Sequence, residues 1–365
     1  MRIAFLDSWL QNAVDGSGTA ASIGGLGQAL RRQGHTVTRF GPFTQRPANL
    51  TLRRLLFNAQ LPALLRALRY DLIVGFDIDG VLISGRSGNT PYVCCVKGVI
   101  AEELLHERGQ TRALFQALAR LERHNARHAD MVLTDTAYAR AAIGRHYGVP
   151  GRKVRLVPAG IDLARWQRIA EATPRQSDGA TILCVARQYP RKHVADLLRA
   201  MPLVRQQVPQ AHAVIVGDGP EHASLRALAG ELGLGEAVRF LGALPDDDEV
   251  ARWYRRADIF CLPSVQEGFG MVFVEAMASG LPVVATLSAA IPEVVPRGRA
   301  GLLVPPAQPQ ALAAALVDLL RSPAKRAAFG DFGQQHVAQY EWDRIARLFL
   351  ASVAPLLQTS VGEVS

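Results

Sequence analysis

A chain of 365 residues is long for one hydrophobic core and comfortable for two. Hydrophobic residues at 49% and charged residues at 20% mark a globular protein, and no apolar run approaches the roughly 18–20 residues that span a bilayer. The opening MRIAFLDSW is interrupted by Asp7 and carries no cleavage pattern, so the expected location is cytoplasmic.

The net charge of +9 is unevenly spread. Residues 1–170 hold 23 Lys and Arg against 12 Asp and Glu, whereas residues 171–365 hold 18 against 20. A basic first half implies a domain that faces something anionic: a membrane surface, a phosphorylated acceptor or a nucleic acid. No nucleic-acid motif or aromatic–basic interleaving is present, so no nucleic-acid partner is expected. Cys94, Cys95, Cys184 and Cys261 form no CxxC pair, and they read as buried small hydrophobes rather than a disulfide or zinc framework.

In chain order, RIAFLD (2–7) reads as a buried strand, a helical stretch follows over 19–33, and HTVTRF (35–40) is the next strand. LRRLLFNAQLPALLRALRY (52–70) alternates Leu and Phe with Arg53, Arg54, Arg66 and Arg69, broken by Pro62. That pattern suits either a core-packed helix or a contact with an anionic membrane. DLIVGF (71–76), PYVCCV (91–96), DMVLTD (130–135) and VRLVP (154–158) continue the strands. After a polar stretch at 171–180 the alternation restarts with TILCVAR (181–187), HAVIVGDG (212–219), AVRFLG (237–242), DIFCLPS (258–264) and LPVVAT (281–286). Two such series predict an α/β protein of two doubly wound parallel-sheet domains. The terminal YEWDRIARLFLASVAPLL reads as an amphipathic helix that caps its own domain or crosses back to the first.

Two cations, Arg187 and Lys192, sit just beyond the first strand of the second series. Ligands of open α/β sheets bind at the carboxyl ends of strands, and one guanidinium with one ammonium suits a diphosphate. A solvated basic loop is the plainer alternative. In EGFGMVFVEAMASG, Gly268 and Gly270 precede a helix over roughly 271–279, whose positive end favours an anion. Glu267 stands at this turn and Glu275 eight residues on, about 12 Å apart if both follow one helical rise. Carboxylates at that separation suit a sugar and a ribose across a bound diphosphate, because they accept hydrogen bonds from vicinal hydroxyls. An ordinary surface residue is the alternative for Glu275, set against its neighbours Phe273, Val274, Ala276 and Met277.

From TILCVAR through VGDGPE, ADIFCLPS, EGFGMVFVEAMASGLPVVAT and IPEVV to GLLVPP, the second half resembles the group-1, or family 4, glycosyltransferases. The resemblance implies two Rossmann-like domains facing across a cleft (the B-type fold), with domains at 1–165 and 166–340 and the helix at 341–360 packing back on the first. It implies a retaining, metal-independent transfer of a hexose-type sugar from a UDP- or GDP-linked donor to a hydroxyl acceptor, with no cofactor. Glu267 would then bind the donor sugar and stabilise charge at the anomeric carbon, Glu275 would bind the ribose, and Arg187 with Lys192 would neutralise the departing diphosphate. Gly217, Gly268, Phe269, Gly270 and Met271 would line the donor site, and Gly18 would match the second glycine of the family's loop after the first strand.

Three departures stand out. Ser17 replaces the first glycine of that loop, and Lys97 stands where a histidine is usual, as a cation for an anionic sugar or acceptor or a mark of altered activity. Ala289-Ala290 replaces Gly-Gly before IPE, which is expected to tighten the loop near the donor. Rival readings are a nicotinamide dehydrogenase on GSGTAA and a metal-dependent transferase on Asp77-Ile78-Asp79 or Asp246-Asp247-Asp248. An epimerase or phosphorylase on the same fold, or a non-catalytic membrane-surface or nucleotide-binding module, are the others. The glycine loop starts nine positions after Asp7 and no acid ends the second strand, which counts against the dehydrogenase.

Overall fold

The computed structural model describes residues 1–9, 18–42, 50–66, 68–86, 88–175 and 179–359. The chain divides into two compact units, Met1–Gly160 with Tyr340–Ser365, and Ile161–Gln339.

The first unit runs β1 (Arg2–Leu6), α1 (Gly18–Arg32), β2 (Thr36–Phe40), α2 (Leu50–Arg66), β3 (Leu72–Phe76), β4 (Tyr92–Val96), α3 (Ile100–Glu103), α4 (Gly109–His128), β5 (Met131–Thr134), α5 (Ala137–Tyr147) and β6 (Val154–Leu156). Its strands are parallel in the order β2-β1-β3-β4-β5-β6. Both faces of this sheet are covered, which is why its inner strands β1, β3, β4 and β5 read as near-continuous apolar runs. Side chains alternate between two cores. Ile3, Phe5, Val74 and Val93 pack with α1 on one face, and Ala4, Ile73, Tyr92 and Val132 pack with α2, α4 and α5 on the other.

The second unit runs α6 (Leu163–Ala172), β7 (Thr181–Val185), α7 (Val194–Gln207), β8 (His212–Val216), α8 (His222–Glu231), β9 (Val238–Gly242), α9 (Asp247–Arg256), β10 (Ile259–Leu262), α10 (Met271–Ala278), β11 (Val283–Thr286), α11 (Ile291–Val294), β12 (Gly301–Val304), α12 (Pro309–Leu320) and α13 (Pro323–His336). The parallel order is β12-β11-β10-β7-β8-β9. The sixth strand, β12, adds to the five expected. Only four residues long and preceded by the polar PRGRA, it forms because Gly301 lets the chain run close beside the Val283 carbonyl. Helix α6, within which the expected boundary at 165/166 falls, lies in the second unit. Its Asp162 caps the Arg165 N–H, and Trp166 meets Tyr254 edge-on at 5.5 Å.

Helix α14 (Trp342–Thr359) returns to the first unit, where Trp342, Ile345, Phe349 and Val353 join the α1 core. The Trp342 indole lies against Gly25 on α1 and Gly160 at the end of the unit, and a Cβ on either glycine would overlap its ring. Gly25→Ala is expected to lower stability by about 1–3 kcal/mol through overpacking. The same change in a Trp342→Leu background should be neutral or mildly stabilising, since alanine is the better helix former. Denaturant unfolding of the four proteins measures the coupling, and equal costs in both backgrounds would refute the clamp.

Glu122 on α4 is buried, with its Oε2 accepting from Ile100 N–H at 3.0 Å and from the Tyr147 hydroxyl. Its Oε1 has no hydrogen-bond partner among the described residues. Burial pushes this carboxyl well above the usual range, and Asp77 adds to the rise. The folded state therefore holds the proton longer than the unfolded chain does. Stability contributed by this group is full below the ordinary glutamate pKa and falls as pH rises through the raised folded value. Glu122→Gln should flatten that fall, as read from unfolding midpoints at successive pH values.

Candidate active site

The carboxyl ends of β7 and β10, neighbours at the centre of the second sheet, carry the cation and the first carboxylate. Lys192 closes the single 3-10 turn Pro190–Lys192 after β7, and Glu267 lies five residues beyond β10. The Lys192 Nζ donates to Glu267 Oε1 at 2.6 Å, with the two side chains 14% and 9% exposed. Ser264 Oγ donates to the same oxygen at 2.7 Å. Four further bonds fix the loop backbone. Val265 N–H donates to the Arg191 carbonyl at 2.9 Å, Ser288 Oγ to the Val265 carbonyl at 2.6 Å, Ala290 N–H to the Glu267 carbonyl at 3.4 Å, and the Thr286 hydroxyl to the Ser264 carbonyl. Three loops, following β7, β10 and β11, thus converge on one carboxylate.

Gly270 caps α10 with φ 86°, a left-handed conformation, and a Cβ there would strike the Phe273 ring. Glycine is required on both counts. Phe269 is buried, Gly268 is half-buried, and Met271 is the first helical residue. Glu267 precedes the helix, so the expected helical rise between the two carboxylates does not apply: residues 268–270 are not helical. Glu275 lies on α10 itself, half-buried, and its Oε2 accepts from the Tyr254 hydroxyl at 2.9 Å. Tyr254 is fully buried and stacked on Phe260 at 5.5 Å. Burial raises the Glu275 carboxyl above its ordinary range. The Tyr254 bond and Arg165 pull it down, and Asp247 pushes it up.

Arg187 is exposed, with its guanidinium 5.7 Å from the Tyr189 ring centroid, while Arg191 reaches that ring at 5.1 Å. Gly217 has φ 115°, and the Ala186 carbonyl occupies the place a Cβ would take. Buried Gln188 ties the two loops together. Its Nε2 donates to the Gly217 carbonyl at 2.8 Å, and its N–H donates to the Asp218 carbonyl at 2.9 Å. Of the two cations expected to act together, Lys192 is held inside by an anion and Arg187 stands in solvent.

The remaining candidates belong to the first unit. Gly18 opens α1 and is exposed, whereas Gly16 and Ser17 lie outside the described residues. Lys97, at the end of β4, donates from Nζ to Asp135 Oδ1 at 2.7 Å, the side chains 7% and 4% exposed. Burial works against this ammonium, but Asp135 outweighs it and the Lys97 pKa is raised. Lys97 is therefore not the unpaired cation that an anionic sugar would need.

Asp77 and Asp79 are both buried. Asp79 accepts from Ser8 and Asn58, and Asp77 from Trp9 Nε1 and Lys97 N–H, with burial pushing Asp77 up to about 6. Asp246 caps α9, and Asp248 pairs with Arg165 at 2.6 Å. Both DxD triplets are thus engaged in holding local structure. Among the described residues, no three His, Cys, Asp or Glu side chains gather as a metal site. Ala289 keeps a left-handed φ of 49°, so the loop before α11 retains a glycine-like backbone with alanine in it.

The model of the family "Glycosyl transferases group 1" matches residues 167–336, and that of "Glycosyltransferase Family 4" matches residues 16–165. The chain belongs to the group-1 glycosyltransferases. Its curated relatives include the GDP-mannose-dependent alpha-(1-6)-phosphatidylinositol monomannoside mannosyltransferase of Mycobacterium tuberculosis. That protein is 33% identical over 231 residues, 60% of each chain. The D-inositol 3-phosphate glycosyltransferase of Corynebacterium urealyticum is 30% identical over 71% of this chain and 63% of its own. The matched region spans about three-fifths of the length of such relatives. Among solved structures, sucrose-phosphate synthase from Thermosynechococcus elongatus superposes with a TM-score of 0.81 at 24% identity, covering 98% and 99% of the two chains. Anabaena HepE, solved with UDP and glucose, gives 0.74 at 20% identity over 97% and 99%. The fold is accordingly the two-domain Rossmann-like B-type of these transferases.

In this glycosyltransferase the residues that sequence reasoning missed are Ser264, Gln188, Tyr254 and Asp135. Ser264 stands three positions before Glu267 and was open to recognition as a local hydroxyl donor. Tyr254 and Asp135 are distant in sequence from the groups they hold and left no signal. In the folded protein the Glu275 carboxyl should titrate above the ordinary glutamate range, and Tyr254→Phe, which removes one hydroxyl and no ring, should move it higher still. Carboxyl-carbon NMR titration tests this, and a midpoint unmoved by Tyr254→Phe would rule out the hydroxyl as its partner.

Proposed function

We propose that this protein is a retaining hexosyltransferase that moves a sugar from a UDP- or GDP-linked donor to a hydroxyl acceptor without a metal ion. The observation that carries the reading is the Lys192–Glu267 pair, withdrawn from water beside a left-handed glycine that opens α10. The family membership supports it, as do a relative named GDP-mannose-dependent and neighbours solved with UDP.

Breaking the bond between the anomeric carbon and the diphosphate oxygen builds negative charge on that oxygen and positive charge on the carbon. Lys192, Arg187 and the opening turn of α10, approached across Gly268, Phe269, Gly270 and Met271, meet the first charge with groups already in place. Glu267 accepts from the donor sugar's hydroxyls and stabilises the second. Glu275, steadied by Tyr254, accepts from the ribose hydroxyls, and Gly217 leaves room for the nucleotide to approach the backbone. The acceptor oxygen attacks from the face the diphosphate leaves, and its proton passes to the departing phosphate oxygen. Retention follows from that same-face geometry. Lys97, held by Asp135, serves as a catalytic cation, and Gly18 at the start of α1 serves as a donor-binding glycine. Excess basic charge in residues 1–170 further supports a peripheral contact with an anionic membrane.

A thermal-shift panel of UDP-, GDP-, ADP- and dTDP-sugars should single out one base, because a ligand that binds only the native state stabilises it. Lys192→Ala and Glu275→Ala should each remove most of that shift, and Glu267→Ala should abolish transfer. Activity should persist undiminished in chelator. Wild-type-like shifts in both alanine variants would show the site misplaced, and loss of activity in chelator would restore the metal-dependent reading.

A further inference from the structure

One face of the first sheet has an outer layer unlike the rest of its unit. Helix α2 and the last turns of α4 pack on the same side, since Phe57 and Leu61 from α2 share a core with Ala126 from α4. On α2 the usual order of an amphipathic helix is reversed. Arg53, Arg54 and Asn58 are buried. Asn58 donates to Asp79 Oδ1 at 2.9 Å, Arg54 Nε donates to Ser8 Oγ at 2.9 Å, and the Arg54 guanidinium lies 4.5 Å over the Trp9 ring. Of the four arginines that the sequence pattern offered to a membrane, Arg53 and Arg54 are thus turned inward, whereas Arg66 and Arg69 stay exposed. Leu52, Leu55 and Leu56 face outward instead, 48%, 41% and 47% exposed, and exposed Ala59 and Ala63 continue the stripe at helical spacing.

The second strip lies on α4. Arg120, Arg123, His124, Arg127 and His128 are exposed around a depression of about 310 Å³, with the two imidazoles stacked at 4.1 Å. None of the three arginines forms an ion pair among the described residues, and the one carboxylate of the helix, Glu122, is buried. No acidic residue occurs between Asp15 and Asp71, so α2 has none either.

We infer that this face seats the protein on an anionic lipid surface, the α2 leucines entering the acyl boundary and the α4 arginines meeting lipid phosphates. The inference takes the proposed membrane contact as its premise and adds the surface and its two chemistries. Leucines beside unneutralised arginines are the composition of interfacial helices. A second copy is a poorer occupant, because a two-fold contact sets the same patch on both partners and would bring two unneutralised arginine strips together.

Cosedimentation of the full chain with phosphatidylcholine vesicles, with and without phosphatidylglycerol, tests it. Wild-type protein should bind only the anionic vesicles at low salt. Arg120→Gln/Arg123→Gln/Arg127→Gln should weaken that binding about tenfold or more and reduce its salt dependence. Leu52→Gln/Leu55→Gln/Leu56→Gln should weaken it comparably while leaving the salt dependence in place. Both variants should keep the wild-type unfolding midpoint and nucleotide thermal shift. Wild-type binding that neither variant weakens would leave a membrane contact but overturn this surface. Failure of the wild type to bind any vesicle would remove the membrane premise itself. A concentration-dependent dimer dissolved by the leucine variant, seen by sedimentation velocity, would assign the face to a second copy and overturn the inference.

Discussion

A cation taken out of water has to be met by an anion, and in the second unit that requirement ties Lys192 to Glu267. Buried ion pairs add little net stability, because desolvation consumes most of the Coulombic gain, yet leaving one partner alone is expensive. The loops that carry the two residues are therefore bound to stay together. Hydroxyls from Ser264, Thr286 and Ser288 take up the remaining lone pairs and backbone carbonyls around them. The consequence is a pair of charged groups largely withdrawn from water and fixed in place.

The second carboxylate is held by a different device. Glu275 sits on a helix that sends Phe273, Val274, Ala276 and Met277 into the core, and it accepts from a phenol in ring contact with Trp166 and Phe260. Its position is set by aromatic packing rather than by a counter-charge. One carboxylate is thus locked by an ion pair, the other by a ring stack. In the first unit the polar groups at the strand ends are largely neutralised among themselves, through Lys97 with Asp135, Arg39 with Asp7, and Asp79 with Ser8 and Asn58. Its unneutralised charge lies instead on the outer face of α4.

Much of this was legible beforehand. The central strands of both sheets stand out as near-continuous apolar runs, because sheets buried on both faces leave no polar alternation to obscure them, whereas the edge strands β2, β6 and β9 carry Arg39, Arg155 and Arg239 and were read from their place in the series. The GFG turn and its flanking glutamates were readable because a left-handed position next to a helix start is local chemistry. Strand β12 escaped notice since four residues carry too little pattern. A helical rise does not link Glu267 to Glu275, because three non-helical residues separate the first from the helix. Arg53 and Arg54 looked like a solvent or membrane face, yet both are buried, and Arg54 meets Ser8, Asp79 and Trp9 there.

The sequence by itself determined the alternation of strands and crossover helices, the special backbone at Gly270 and the placing of cations and carboxylates in the loops after β7 and β10. These depend on interactions within a few positions along the chain, so they survive without knowledge of the fold. Tertiary structure alone decided which charges are neutralised. Lys192 finds Glu267 75 positions away, Lys97 finds Asp135 38 away, and Tyr254 reaches Glu275 from another helix. Whether a charge is paired or left to solvent depends on what packing brings within about 3 Å of it, and no local pattern records that distance.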